Sequence, residues 1–276
     1  MENLSLVIFS IFVQAAIGII VFVAIGRFLN KDAVFKKAIF TAAGLSIIGM
    51  LTSVLHLGRP LNAIRALNQF STSWLSREIW FTSFFVGLTV LALILLLKKQ
   101  QQKGFYNILL YIAAIVGLVD VFFMASIYSH TGVPVWQGNS IYFEFYAASI
   151  SMGAILFLAL SGKEAEKMKR IIALTIAAAV VIQVAAAVPN LITLGLSTNG
   201  ALVKSMSILG DMTFVTAIKW GFILIGAGFV LWMAKNEVSK YESRILISST
   251  ILLLVGQGVG RYLFYASMVV TGVGIS

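Results

Sequence analysis

Apolar residues run through this chain in blocks of about twenty, separated by short polar breaks. The blocks predict helices near 5–27, 38–56, 78–97, 105–129, 142–162, 170–190, 212–234 and 245–269. At a rise of 1.5 Å per residue, about 20 apolar residues cross a hydrocarbon core of roughly 30 Å. A closed membrane barrel would show alternating segments of about ten residues, and the sequence has none. The expectation is an all-α integral membrane protein, an eight-transmembrane-helix bundle forming a single domain over 1–276. The opening run MENLSLVIFSIFVQAAIGIIVFVAIGR starts acidic rather than basic and is too long for a signal peptide, so it reads as a retained first span.

Composition supports this reading, since 60% of the residues are hydrophobic, 11% are charged and the mean hydropathy is +0.99. The net charge of +10 could point to nucleic acid, but the basic residues sit in short connections between apolar runs, where membrane topology accounts for them. The connections after the first, third, fifth and seventh spans hold Arg27, Lys31, Lys36, Lys37, then Lys98, Lys99, Lys103, then Lys163, Lys167, Lys169, Arg170, then Lys235, Lys240, Arg244. These are fourteen of the twenty lysines and arginines, and they mark the cytoplasmic side. Both termini are then expected outside. The chain has no cysteine, so it holds no disulfide, thiolate metal site or Cys-ligated iron–sulfur cluster of its own.

The two halves echo one another. Phe123-Met124-Ala125-Ser126 matches Phe264-Tyr265-Ala266-Ser267, which makes two four-helix halves, 1–130 and 142–276, an expectation of the reading. Counted from the inner ends of their spans, Asp120, Lys219 and Arg261 all lie about 25 Å up, in the outer half. Spans one, three, five and six carry no ionisable residue between their ends, so no chain of acids leads inward. Asp120 and Arg261 hold matching places in the repeat with opposite charge, and an ion pair would hold both; it would either fasten helices or also line a site. Lys219 would either join them or snorkel to the surface.

One outer connection is unusual. HLGRPLNAIRALNQFSTSWLSREI, residues 56–79, gathers His56, Arg59, Arg65, Arg77 and Glu78, with Pro60 ending the second span and Trp74 anchoring the return. His56 and Glu78 would face each other at the mouth of neighbouring helices. A histidine and a carboxylate can accept protons at physiological pH, as the oxidation of a hydroquinone requires. An ordinary polar loop would carry the same residue types. A second outer connection, HTGVPVWQGNSIYFEFY, presents Trp136, and with Trp74 it reads as a docking surface with interfacial aromatics.

HLGRP followed by NAIRAL and SWLSREI resembles the DmsC-type membrane-anchor subunit of dimethyl sulfoxide reductases, within the NrfD-like group of quinone-reactive membrane subunits. The resemblance implies a three-part respiratory enzyme: a molybdopterin catalytic subunit, a subunit with four-iron clusters, and this anchor in the cytoplasmic membrane. The anchor would oxidise menaquinol near the outer face and pass electrons to the nearest cluster. By that resemblance His56 and Glu78 are the quinol-binding and proton-accepting residues. Arg59, Arg65, Arg77, Asp120, Lys219 and Arg261 would support them. A haem would need two facing histidines, whereas His56 and His130 both fall at the outer rim, so no haem and no metal are expected here. The alternatives are a polytopic secondary transporter, which usually binds substrate near the midplane at broken helices, and a purely structural anchor that would not need His56. In this reading only Pro189 breaks a helix end.

Overall fold

A computed structural model describes residues 2–55, 67–99, 104–235 and 242–270. They form nine helices, α1 (Glu2–Leu29), α2 (Lys36–Leu55), α3 (Trp74–Leu97), α4 (Gly104–Ser129), α5 (Ser140–Ser161), α6 (Lys169–Gly195), α7 (Gly200–Asp211), α8 (Thr213–Lys235) and α9 (Glu242–Ala266), with short 3-10 segments at Pro134–Trp136 and Gly162–Met168. Among the described residues, seven stretches are long and apolar enough to cross a membrane. The longest of these, Ser140–Gly195, contains both α5 and α6, which pack on one another across the 3-10 segment.

Helix α1 is the axis of the bundle and packs against α2, α4, α5 and α9. Its residues Ala16, Ile17, Ile19, Ile20 and Val23 are wholly buried, as in a helix largely surrounded by others, and its buried polar side chains Gln14 and Arg27 find hydrogen-bond partners. The closest crossing is with α5. A methyl group built on Gly18 would stand 2.1 Å from the Ser149 carbonyl oxygen, and one on Gly153 would stand 2.2 Å from the Gly18 Cα. Small residues facing each other let two membrane helices approach backbone to backbone, where dispersion replaces the hydrophobic drive that lipid does not supply. The outside of the bundle carries exposed large apolar side chains such as Phe40, Leu51, Ile115 and Val181, which suits contact with acyl chains.

The lysine-rich connections meet at one end of the bundle. Arg27, 1% exposed, donates from Nε to Asn107 Oδ1 (2.8 Å) and from Nη1 to the Ala33 carbonyl (2.7 Å). Glu164 accepts from the backbone N–H groups of Val34 and Phe35, both at 2.8 Å, and the Lys169 ammonium bonds the Glu242 carboxylate.

Three features differ from the sequence expectation. Helix α3 starts four residues early because Ser73 caps it, its hydroxyl accepting from the Ser76 N–H at 3.4 Å; Glu78 therefore lies a full turn inside the helix rather than at its opening. Pro189 does not end α6, which continues to Gly195, and the Pro189 carbonyl accepts from Thr193 Oγ1 at 3.0 Å. A proline removes one N–H from the ladder, a loss that tertiary packing can carry in a membrane helix. The stretch after Gly195 forms α7, unforeseen, which Asn199 caps by accepting from the N–H groups of Ala201 (3.0 Å) and Leu202 (3.4 Å).

Candidate functional site

The polar residues of the spans collect toward the lysine-poor end. His56, Arg59 and Arg65 lie outside the described residues. The segment from Leu67 onward is pinned to the first turns of α3: the Arg77 guanidinium donates to the carbonyls of Phe70 (2.9 Å) and Ser71 (2.6 Å) and covers the Trp74 ring at 4.3 Å, while Trp80 Nε1 donates to the Leu67 carbonyl at 3.0 Å. Arg77 is thus engaged with its own loop. Trp74 also packs against Phe122, Phe123 and His130, the last with ring centroids 4.9 Å apart. His130 donates from Nδ1 to the Ser126 carbonyl at 2.9 Å, because a carbonyl can only accept.

One turn into α3, Glu78 is 6% exposed; one turn further, the Thr82 hydroxyl lies 3.0 and 2.9 Å from the two oxygens of Asp120 on α4, which is wholly buried. Glu78 and Thr82, four residues apart, share the buried face of α3. The sequence expectation of an Asp120–Arg261 ion pair is not met. Helices α1 and α5 pack between α4 and α9, so Asp120 turns to Thr82 and Arg261 turns to α1, where Nη2 donates to Gln14 Oε1 at 2.9 Å. Phe145 covers the Arg261 guanidinium at 3.7 Å. The two halves do meet at Tyr128 and Tyr265, whose hydroxyls are 2.6 Å apart.

Lys219 does not snorkel. It is buried and donates to Glu144 on α5 at 2.6 Å. Glu144 is a residue that sequence reasoning passed over. In sequence the aromatic run IYFEFY reads as part of a docking loop, but α5 begins at Ser140 and carries Glu144 inside the bundle, so the fifth span does hold an ionisable group. Three lone amides in apolar runs were also missed. Gln183 and Gln257 exchange a pair of amide hydrogen bonds (3.1 and 3.0 Å), and Gln257 also bonds Ser151 at 3.1 Å, while Gln14 receives Arg261. A buried amide without a partner costs several kcal/mol in lipid, so isolated glutamines in such runs are a usable signal of helix-to-helix contacts.

Trp136 is 6% exposed, stacked on Phe264 (4.7 Å, 11° between planes) and donating from Nε1 to the Phe264 carbonyl at 2.9 Å. Among the described residues no group of three or more His, Asp or Glu gathers as a metal site would require.

Known proteins with similar sequences agree with one another. The family described as DMSO reductase anchor subunit (DmsC) matches residues 1–267. Over 268 residues, 25% are identical to the C subunit of an anaerobic dimethyl sulfoxide reductase of Haemophilus influenzae, a match that spans 95% of this protein and 94% of that one. Identity to the Escherichia coli anaerobic dimethyl sulfoxide reductase chain YnfH is 27% over 277 residues, with 98% and 96% covered. Identity to the Escherichia coli C subunit is likewise 27%, over 285 residues.

Proposed function

Because the chain belongs to the DMSO reductase anchor subunit (DmsC) family, we propose that it holds a molybdopterin catalytic subunit and an iron–sulfur subunit at the outer face of the cytoplasmic membrane and oxidises menaquinol there for them. In this reading the bundle crosses the membrane eight times, in two four-helix halves, with both termini outside. Electrons pass to a four-iron cluster in the partner, and this chain supplies protein groups only.

The observation that carries the proposal is the buried Glu78–Thr82–Asp120 cluster one and two turns below the Ser73 cap, directly following the His56–Arg65 stretch in sequence. Oxidising a hydroquinone releases two protons with the two electrons, so the site needs proton acceptors in a place that excludes bulk water but lies near an exit. Glu78 and Asp120 are such acceptors, and His56 is assigned the same role. Thr82 keeps the Asp120 oxygens oriented. Arg59 and Arg65 are assigned to the headgroups of lipid or to carboxylates of the partner, and Arg77 to holding the loop.

The test is to separate two electron sources in the assembled complex. Replacing His56 by alanine is expected to leave assembly and dye-driven reduction within about twofold of the parent while lowering menaquinol-driven reduction about a hundredfold or more, the usual weight of a positioned proton acceptor. Equal loss of both activities would overturn the assignment, as would full retention of the quinol-driven rate, which is what a purely structural anchor predicts.

The partner is placed over residues 57–77 and 131–141, at the end that lacks the lysine signature. Lysine-to-carboxylate cross-linking of the native complex checks this. Links from the cluster subunit to Asp211, near that end of α8, agree with it, and links concentrated on Lys98, Lys99 and Lys163 would invert the orientation.

A further inference from the structure

The second half of the protein forms a half-open cavity of about 360 Å³ that the quinol chemistry above does not use. Its walls come from the Pro134–Trp136 segment and from α5, α6, α7, α8 and α9, and no described residue before Val135 contributes to it. Most of the lining is apolar or aromatic. Trp136 and Phe264, stacked in parallel, make a flat wall, and Trp220 stands beside Lys219, its ring 4.6 Å from Nζ. The amphipathic helix α7 borders the cavity at the lysine-poor end, contributing Met206 and Leu209.

The charged groups in this wall are the Lys219–Glu144 pair, set among the neutral polar side chains of Ser140, Asn190, Thr213, Thr216 and Ser267. The fold makes room for it: a Cβ on Gly260 would lie 2.8 Å from Lys219 Cε, so the lysine stem runs through space that a glycine on α9 leaves open on its way to α5. An ion pair set against apolar walls costs desolvation that lipid-facing leucines would avoid. The ammonium has three N–H donors and gives one to Glu144, and the carboxylate keeps acceptor capacity. The pair therefore offers a donor and an acceptor side by side without net charge. Arg261, the neighbouring cation, does not line the cavity; its Nη2 donates to Gln14 and its guanidinium lies over Phe145.

We propose that this cavity is a binding site for an uncharged, planar, lipid-soluble ring carrying hydroxyl or carbonyl oxygens, the quinol or quinone class, separate from the site at residues 56–120. A ring carbonyl would accept from Lys219, a ring hydroxyl would donate to Glu144, and the ring face would lie along the aromatic wall. A phospholipid phosphate fits less well, since it would bring a second anion to Glu144. The volume falls within the range of small-molecule sites, about 300–1,000 Å³. Binding at this cavity does not require the turnover proposed above.

The test uses the assembled complex in lipid discs and a short-chain naphthoquinone carrying a photoreactive azide, with labelled peptides identified by mass spectrometry. Label is expected on 203–224 and 259–267, saturably, and undiminished when His56 is replaced by alanine. Thr216→Trp, which fills the cavity and leaves the ion pair intact, should abolish that label. The double change Lys219→Met with Glu144→Gln should raise the half-saturating concentration about tenfold. Label confined to residues 67–130, or label in the second half that survives Thr216→Trp, overturns the proposal. So does a phospholipid that co-purifies with the parent complex and is released by Thr216→Trp, which would assign the cavity to lipid. Because labelling is read without turnover, absence of quinol-driven activity would count against the proposed function and leave this result standing.

Discussion

Glutamine in place of Glu78 is expected to lower menaquinol-driven turnover of the complex about a hundredfold or more while dye-driven turnover stays within about twofold. Glutamine keeps the size and most of the hydrogen bonding of the side chain but cannot take up a proton, and a positioned general base contributes on the order of 10²–10⁴ in rate. The position suits the substitution. Glu78 is packed 6% exposed on α3, no salt bridge holds it among the described residues, and an amide leaves no charge without a partner. Asp120→Asn should fall in the same direction but by less, because its oxygens already engage Thr82. A Glu78→Gln complex that oxidises menaquinol at the parent rate would remove Glu78 from the proton path. Parallel loss of dye-driven activity would show a failure of assembly instead.

The largest effect on stability is expected at the α1–α5 crossing. A side chain on Gly18 or Gly153 has no flexible neighbour to displace, since the obstacles at 2.1 and 2.2 Å are the Ser149 carbonyl oxygen and the Gly18 Cα. Overpacking a core with extra methylene groups typically costs about 1–3 kcal/mol when side chains can move aside; here two helix backbones must separate, and α1 carries its contacts to α2, α4 and α9 with it. Gly18→Val and Gly153→Val should therefore each abolish recovery of monodisperse protein from mild detergent. The comparison is Gly87→Ala on α3, where an added Cβ meets nothing within 4 Å and helix propensity favours alanine by about 1 kcal/mol. If Gly18→Val melts within a few degrees of the parent, the close crossing is not what holds the two helices.

Much of this was open to reading along the sequence because membrane insertion imposes a one-dimensional rule. Runs of apolar residues of spanning length and the side on which lysines gather follow from the thickness of the hydrocarbon and the position of charges in sequence, and neither needs knowledge of which helix touches which. The helices of 20 residues or more follow those runs to within about five residues at each end, and the differences trace to local capping at Ser73 and to a proline carried within α6. The motif at 56–79 likewise identifies the family from residues adjacent in sequence.

Partnerships between helices were not legible. Depth along a span places Asp120 and Arg261 at one level, yet level says nothing about azimuth, and α1 and α5 separate them. Lys219 meets Glu144 across space that Gly260 leaves open, because α5 begins early enough to carry that glutamate inside. By itself the sequence determined the all-helical membrane class, the long apolar helices, the lysine-rich connections and the family, all properties that solvation and local order write residue by residue. Only the tertiary structure decided which carboxylate faces which hydroxyl, which cation meets which anion, and that the second half forms a half-open cavity. Those outcomes depend on the rotation of each helix about its axis, which is set by close packing among several helices at once.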